Sequence, residues 1–96
     1  MPYTSKVTAV RPAGVQWFNA ANPAVSKSEL DWVKAQPGFV QLAVEAVNAN
    51  TLVSTIVFAD KASYDAMDAA RANRDDFKAR KMYCEVNGIS RAIERS

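Results

Sequence analysis

Apolar and polar positions alternate most clearly between residues 39 and 58. In Phe39–Val47, Val40, Leu42, Val44 and Ala46 share one face of an extended chain, and Gln41, Ala43 and Glu45 share the other. Successive strand side chains point to opposite sides, so this pattern predicts a strand with one apolar face. Asn48-Ala49-Asn50 follows, and its asparagines tolerate the left-handed backbone of a tight turn, which predicts a hairpin. The return segment, Leu52–Phe58, sets Leu52, Ser54, Ile56 and Phe58 against Val53, Thr55 and Val57. Apolar groups on both faces mark a central strand, or one covered on its second side by another subunit. Tyr3–Val10 is rich in β-branched residues and stops at Arg11-Pro12, which predicts a further strand. Its two faces carry Tyr3, Ser5, Val7 and Ala9 on one side and Thr4, Lys6, Thr8 and Val10 on the other. Pro12-Ala13-Gly14 reads as a turn, Val15–Phe18 as a second extended piece, and Asn19–Pro23 as a loop.

Helical spacing appears twice. Ser26 and Glu29 have the spacing of a capping box, with Val25 and Leu30 placed to staple it. This predicts a helix that begins at Ser26 and is ended by Pro37-Gly38. Asp60 is the expected cap of a longer helix, on which Tyr64 and Met67 fall together with Ala66, Ala69 and Ala70. The alanines suggest close approach to the sheet. Phase is lost near Asn73-Arg74-Asp75, where Asp75 is expected to cap a second segment carrying Phe77, Arg80 or Lys81, and Cys84 on one side. Asn87-Gly88 is a left-handed stop, and Ile89 beyond it fits a Schellman contact. Ser90–Arg95 alternates again, as a short last strand.

The resulting order, β-α-β-β-α-β, predicts an α+β, ferredoxin-like domain over residues 1–96. In that class a four-stranded antiparallel sheet carries its helices on one face, here with a long or interrupted second helix. The uncovered face is expected to present Val53, Thr55 and Val57, or the opposite set of Leu52, Ser54 and Ile56 if the facing is reversed. A half-apolar open sheet calls for a partner, so a homo-oligomer is expected. Function is expected on that open face and in the Val15–Asn19 segment, with Leu52–Gly88 as scaffold.

Composition narrows the chemistry. Apolar residues make up 49% and charged residues 23% of the chain, as in an ordinary globular domain. A net charge of +2, evenly interleaved, gives no basic patch, so neither nucleic acid nor a membrane is expected as a partner. The single cysteine excludes an internal disulfide and a multi-cysteine metal site. With no histidine, His-based triads, HExxH zinc sites and proximal-His haem binding are all ruled out. Three isolated glycines make no phosphate loop. No secretory leader is read in Met1–Arg11, and a cytosol-like compartment is expected.

Trp17-Phe18 beside Asn19 is the conspicuous aromatic cluster, suited to an interface or a small-molecule pocket. Trp32 reads as a core or rim residue, and Tyr64 and Tyr83 as buried rings with hydrogen-bonding tips. Cys84 sits near Lys78, Arg80 and Lys81, but no histidine exists to activate it, so it reads as a buried structural thiol. The charges from Asp65 to Arg80 alternate in sign, with Asp68/Arg71 and Asp76/Arg80 at helix-neighbour spacing, and read as a solvated face or a polar rim. No catalytic, cofactor-binding or metal-binding residue is assigned and no cofactor is expected. Trp17, Phe18, Val53, Thr55 and Val57 are the expected interface.

Two resemblances bear on function. Pro37-Gly38-Phe39-Val40, the hairpin, and Phe58-Ala59-Asp60-Lys61-Ala62-Ser63-Tyr64 resemble the dimeric α/β barrel proteins, including antibiotic-biosynthesis monooxygenase-like domains, over residues 25–96. That resemblance implies two ferredoxin-like sheets paired face to face around a pocket. Its haem-degrading branch uses a histidine this chain lacks. Its cofactor-free branches use Trp, Asn, Tyr and Arg groups, for which Trp32, Asn19 and Tyr64 are the right types. The second resemblance is to small virion-associated proteins of tailed bacteriophages of cyanobacteria and marine bacteria. It rests on Tyr3-Thr4-x-x-Val7-Thr8-x-x-Arg11-Pro12, on Val15–Phe18, on Phe58-Ala59-Asp60 and on Arg80-x-x-Tyr83-x-x-x-Asn87-Gly88-Ile89. It implies a non-enzymatic structural or accessory protein of a virion, assembled in the host cytoplasm and working through contacts with itself and with other virion proteins. The alternative is a cofactor-independent dimeric-barrel enzyme or small-ligand binder, for which an enclosed pocket with convergent polar groups is the expected mark.

Overall fold

A computed structural model describes all 96 residues. Its elements are β1 (Tyr3–Val10), α1 (Phe18–Ala21), α2 (Pro23–Lys34), β2 (Phe39–Asn48), β3 (Thr51–Phe58), α3 (Lys61–Arg71), α4 (Asp75–Val86) and β4 (Ser90–Arg95). The strands form one antiparallel sheet in the order β2-β3-β1-β4. This is the ferredoxin-like arrangement expected from the sequence, with the second helix divided in two.

The alternation sets the register. Ser5 lies opposite Ile56, Val7 opposite Ser54 and Ala9 opposite Leu52, and on the other flank Val7 lies opposite Ile93. These residues share the helix-covered face with Leu42 and Val44 of β2. Val53, Thr55 and Val57 stand half-buried on the helix-free face beside Thr4 and Thr8. Val40 departs from the expected face: β2 bulges between Phe39 and Gln41, and Val40 is exposed.

Local signals are met where the partner group is close in sequence. Asp60 caps α3 by accepting a hydrogen bond from the Ser63 N–H at 2.8 Å, which holds its carboxyl below the usual carboxylate range. Gly88, at φ +70°, ends α4 in a Schellman motif. The Ile89 N–H bonds the Cys84 carbonyl at 2.9 Å, and both side chains are buried. Gly38 is required twice over: its φ is +83°, and a Cβ there would lie 2.7 Å from the Ser63 side chain.

Four expectations fail. Trp17 caps a one-turn helix, so Val15–Phe18 is not an extended piece and Asn19–Pro23 is not all loop. Ser26 is not an N-cap: α2 begins three residues earlier at Pro23, whose fixed φ and missing N–H suit the first helical position. Asp75 lies inside α4, with Arg74 at the cap position. Ala66, Ala69 and Ala70 face solvent, not the sheet.

The dense core occupies one end of the layer between helices and sheet. Val33, Phe58, Tyr64 and Met67 are buried there, joined by Tyr3, Trp32, Phe39 and Ile56. Phe58 packs edge-on against both Phe39 and Tyr64. No helix is long and apolar enough to cross a membrane.

Candidate functional site

Side-chain size tapers along the helix-covered face of the sheet. At one end stand Tyr3, Phe39 and Phe58; towards the other, Ile56 and Leu52 of β3 are interspersed with the smaller Ser5, Val7, Ala9 and Ser54. Small residues cannot fill the layer, and α4 packs chiefly on α1 and α2 and little on the sheet. The result is a cavity of about 380 Å³ between helices and sheet. Interiors are otherwise close-packed, so a space of this size is a feature to be explained.

Each element contributes to its wall. Trp17 and Phe18 close the end away from the dense core. Phe18 is buried edge-on to Tyr83, whose hydroxyl donates to the Gln16 carbonyl at 2.8 Å. Trp17 lies beneath the Arg11 guanidinium at 5.1 Å. Arg11 in turn donates to the carbonyls of Val15 at 3.1 Å and Ala49 at 2.8 Å, tying this end to the hairpin. Leu30, Val33, Leu42, Ile56 and Phe77 give the cavity its apolar lining.

Polar groups converge on the same space. Glu29, 3% exposed, receives two hydrogen bonds from Arg80, at 2.7 and 3.0 Å, across the α2–α4 contact. Burial alone would lower the Arg80 pKa, but the Glu29 hydrogen bonds and charge reverse this and raise it. Arg71 donates to Asp68 at 2.8 Å, and Arg95 approaches the other oxygen of Asp68 at 3.7 Å. Arg95 also covers the Tyr64 ring at 5.4 Å. Phe77 is flanked by two guanidiniums, Arg71 at 5.3 Å and Arg80 at 5.2 Å. The wall holds five cationic side chains, Arg71, Arg80, Lys81, Arg91 and Arg95, against the two carboxylates Glu29 and Asp68.

Trp17, Phe18, Asn19, Tyr64 and Cys84 all line the cavity, and Cys84 is a buried free thiol. Trp32 does not: it packs on the dense core with Arg74 over its ring at 4.7 Å. Val53, Thr55 and Val57 lie on the opposite side of the sheet. The polar convergence is therefore on the helix-covered side, not on the open face where function was expected, although the Trp17–Asn19 segment belongs to it. Asp76 pairs with Arg74 and not with Arg80. The arginines of β4 were readable in advance, because alternation of Arg91, Ile93 and Arg95 puts both guanidiniums on one face. The Glu29–Arg80 pair gave no such signal, being 51 residues apart.

A second polar cluster braces α4. Arg74 holds the Asp76 carboxyl below the usual carboxylate range, helped by the Ser28 hydroxyl and the Phe77 N–H and opposed by burial. A depressed folded-state pKa stabilises the fold at pH values above the unfolded value, 3.8, and this contribution is lost as pH falls through the folded one. Asp76→Asn is therefore expected to lower the urea midpoint at pH 7. The gap from the parent should close steadily below about pH 4. A gap independent of pH would contradict the assignment.

No protein-family model matches the sequence, and no curated protein matches it. Solved structures do match in fold. SnoaB, a cofactor-independent oxygenase from Streptomyces nogalater, aligns with a TM-score of 0.64 at 15% identity, over 100% of this chain and 92% of its own. A dimeric ferredoxin-like protein from an uncultured marine organism aligns with a TM-score of 0.68 at 19% identity, over 99% and 92%. A candidate antibiotic biosynthesis monooxygenase from Nitrosomonas europaea reaches a TM-score of 0.70 at 11% identity, over 99% and 88%. At these identities the likeness establishes the fold that the chain shares with dimeric ferredoxin-like and monooxygenase-like proteins, and not an activity.

Proposed function

We propose that this protein is a homodimer that binds a small, apolar, ring-containing molecule in the cavity between its helices and its sheet. The activity suggested by likeness to SnoaB is cofactor-independent oxygenation of that molecule. The observation that carries the reading is the cavity itself. Its volume of about 380 Å³ falls within the range of small-molecule sites, and its apolar wall is punctuated by a few polar groups, as such sites are. The helix-free face would serve the dimer. Only eleven of 96 residues are buried in the lone protomer, and Val53, Thr55 and Val57 remain half-exposed on the open face of the sheet. Dimerisation is stated for the marine ferredoxin-like neighbour, and it is proposed for this chain on that likeness.

The virion role implied by the second sequence resemblance is not preferred. A contact-only role gives no account of a cavity with convergent polar groups, whereas a ligand-binding role requires one.

The test uses 2-naphthamide, a neutral two-ring compound, titrated into the protein while tryptophan emission is followed. Trp17 lines the cavity, so its emission is expected to change saturably. Ser54→Phe places a ring in the cavity from the middle of β3 and is expected to abolish the change while leaving the circular dichroism spectrum intact. Unaltered binding by a folded Ser54→Phe protein, or no binding of either 2-naphthamide or 2-naphthoate by the parent, would overturn the reading.

A further inference from the structure

We infer that the ligand of this cavity carries a carboxylate, held by Arg71 of α3 and Arg95 of β4. The inference rests on the ligand-binding reading above and names the group that the site selects.

Three observations converge on these residues. The first is a difference between arginine pairs. Arg80 meets Glu29, and Arg74 meets Asp76, through both Nε and an Nη, the side-on fork in which a carboxylate satisfies two donors. Arg71 meets Asp68 through Nη2 alone, and its Nε is buried with no hydrogen-bond partner. Asp68 does not complete the fork because its other oxygen lies towards Arg95. A buried donor left unpaired is costly, and native structures rarely leave one without a reason.

The second is the charge count. With Glu29 engaged by Arg80, the remaining cations of the wall, Arg71, Lys81, Arg91 and Arg95, face a single carboxylate, Asp68. Such an excess around an apolar space favours an anion, most of all at Arg71, whose side chain is little exposed and least screened by water. The third is planarity and placement. The Arg71 side chain is only 12% exposed and is braced by Phe77, while Arg95 is braced by Tyr64, so both guanidiniums are held in place before a ligand arrives. Held, planar forks suit a planar carboxylate better than a mobile ammonium would. A two-ring acid can then rest its rings on Phe77 and the apolar strand residues while its carboxylate lies between the Arg71 and Arg95 guanidiniums.

The experiment compares 2-naphthoate with 2-naphthamide by calorimetric titration at pH 7, on the parent, Arg71→Met, Arg71→Lys and Arg95→Met. In the parent, the acid is expected to bind more tightly than the amide by about tenfold to a hundredfold, the contribution of one charged hydrogen bond. Arg71→Met and Arg95→Met should each reduce that preference, the ratio of the two affinities within one variant, at least about threefold. Should Arg71→Met fail to fold, Arg71→Lys and the half-exposed Arg95→Met decide the matter. The lysine keeps the charge but lacks the fork, so the preference should still fall. Equal affinity for acid and amide in the parent, or a preference that survives in every folded variant, would overturn the inference and leave the ligand-binding reading standing. Failure of both compounds to bind would overturn that reading, and the inference with it.

Discussion

Glu29→Gln is expected to reduce the unfolding free energy by about 3 kcal/mol at neutral pH, because it strands the Arg80 guanidinium in a largely buried position. The pair joins α2 to α4 through two hydrogen bonds, with the Glu29 side chain 4% and that of Arg80 24% exposed. Glutamine keeps the shape but removes the charge that offsets the desolvation of Arg80. A domain of this size has roughly 5–15 kcal/mol in total, so one such loss is a large share of it. The double variant Glu29→Met with Arg80→Met is expected to recover most of the loss, since an apolar pair of similar volume carries no desolvation penalty. Urea unfolding of the parent, Glu29→Gln, the single variants Glu29→Met and Arg80→Met, and the double one checks this. A double variant as unstable as the sum of the single ones would mean that the two side chains act independently.

Thr55→Asp is expected to shift the proposed homodimer towards monomer. Thr55 sits midway along β3, near the centre of the helix-free face, with Lys6 opposite on β1 and Ala43 opposite on β2. A two-fold interface brings the same patch from each subunit together, so one substitution puts two carboxylates into the contact. Lys6 offsets part of this charge across the strand pair, yet desolvating the two carboxylates still costs a few kcal/mol, enough to raise the dimer dissociation constant about tenfold or more. Sedimentation equilibrium at micromolar concentration, with circular dichroism to confirm the fold, measures the effect. A Thr55→Asp protein that dimerises as tightly as the parent would place the interface elsewhere, and a monomeric parent would rule out the dimer altogether.

Residues such as Thr55 and Glu29 differ in how far local pattern reaches them. The strands were legible because alternation is a property of a few neighbouring residues; which side of β3 the helices cover was not, since both of its faces carry apolar groups. The Asp60 cap and the Gly88 stop were legible for the same reason as the strands, since each partner lies within five residues. Ser26 and Glu29 show the opposite case. They have capping-box spacing, yet Pro23 has already begun the helix and Glu29 is committed to a residue 51 positions away. The helix at Phe18–Ala21 was hidden because four residues carry too little periodicity to register, and the aromatics before it favour an extended reading.

The cavity was the least legible feature. Nothing in the string Ser5, Val7, Ser54 announces empty space; it emerges only when the register sets Val7 opposite Ser54 while α4 rests on its neighbouring helices. The small size of the α3 alanines points to a face laid on the sheet, yet they face solvent, and that error of phase conceals Asp68 and Arg71 on the inner side. Residue type pointed the right way in one respect. The aromatic pair Trp17-Phe18 stands out in the sequence, and both line the cavity.

Ligand binding in the cavity is tested most directly by the map of amide and methyl NMR shifts on adding 2-naphthamide to isotope-labelled protein. Changes are predicted at Val7, Phe18, Leu30, Ser54 and Phe77, which line the cavity, with Val53, Thr55 and Val57 on the opposite sheet face little affected. Changes centred on Val53, Thr55 and Val57, with the cavity residues silent, would contradict it.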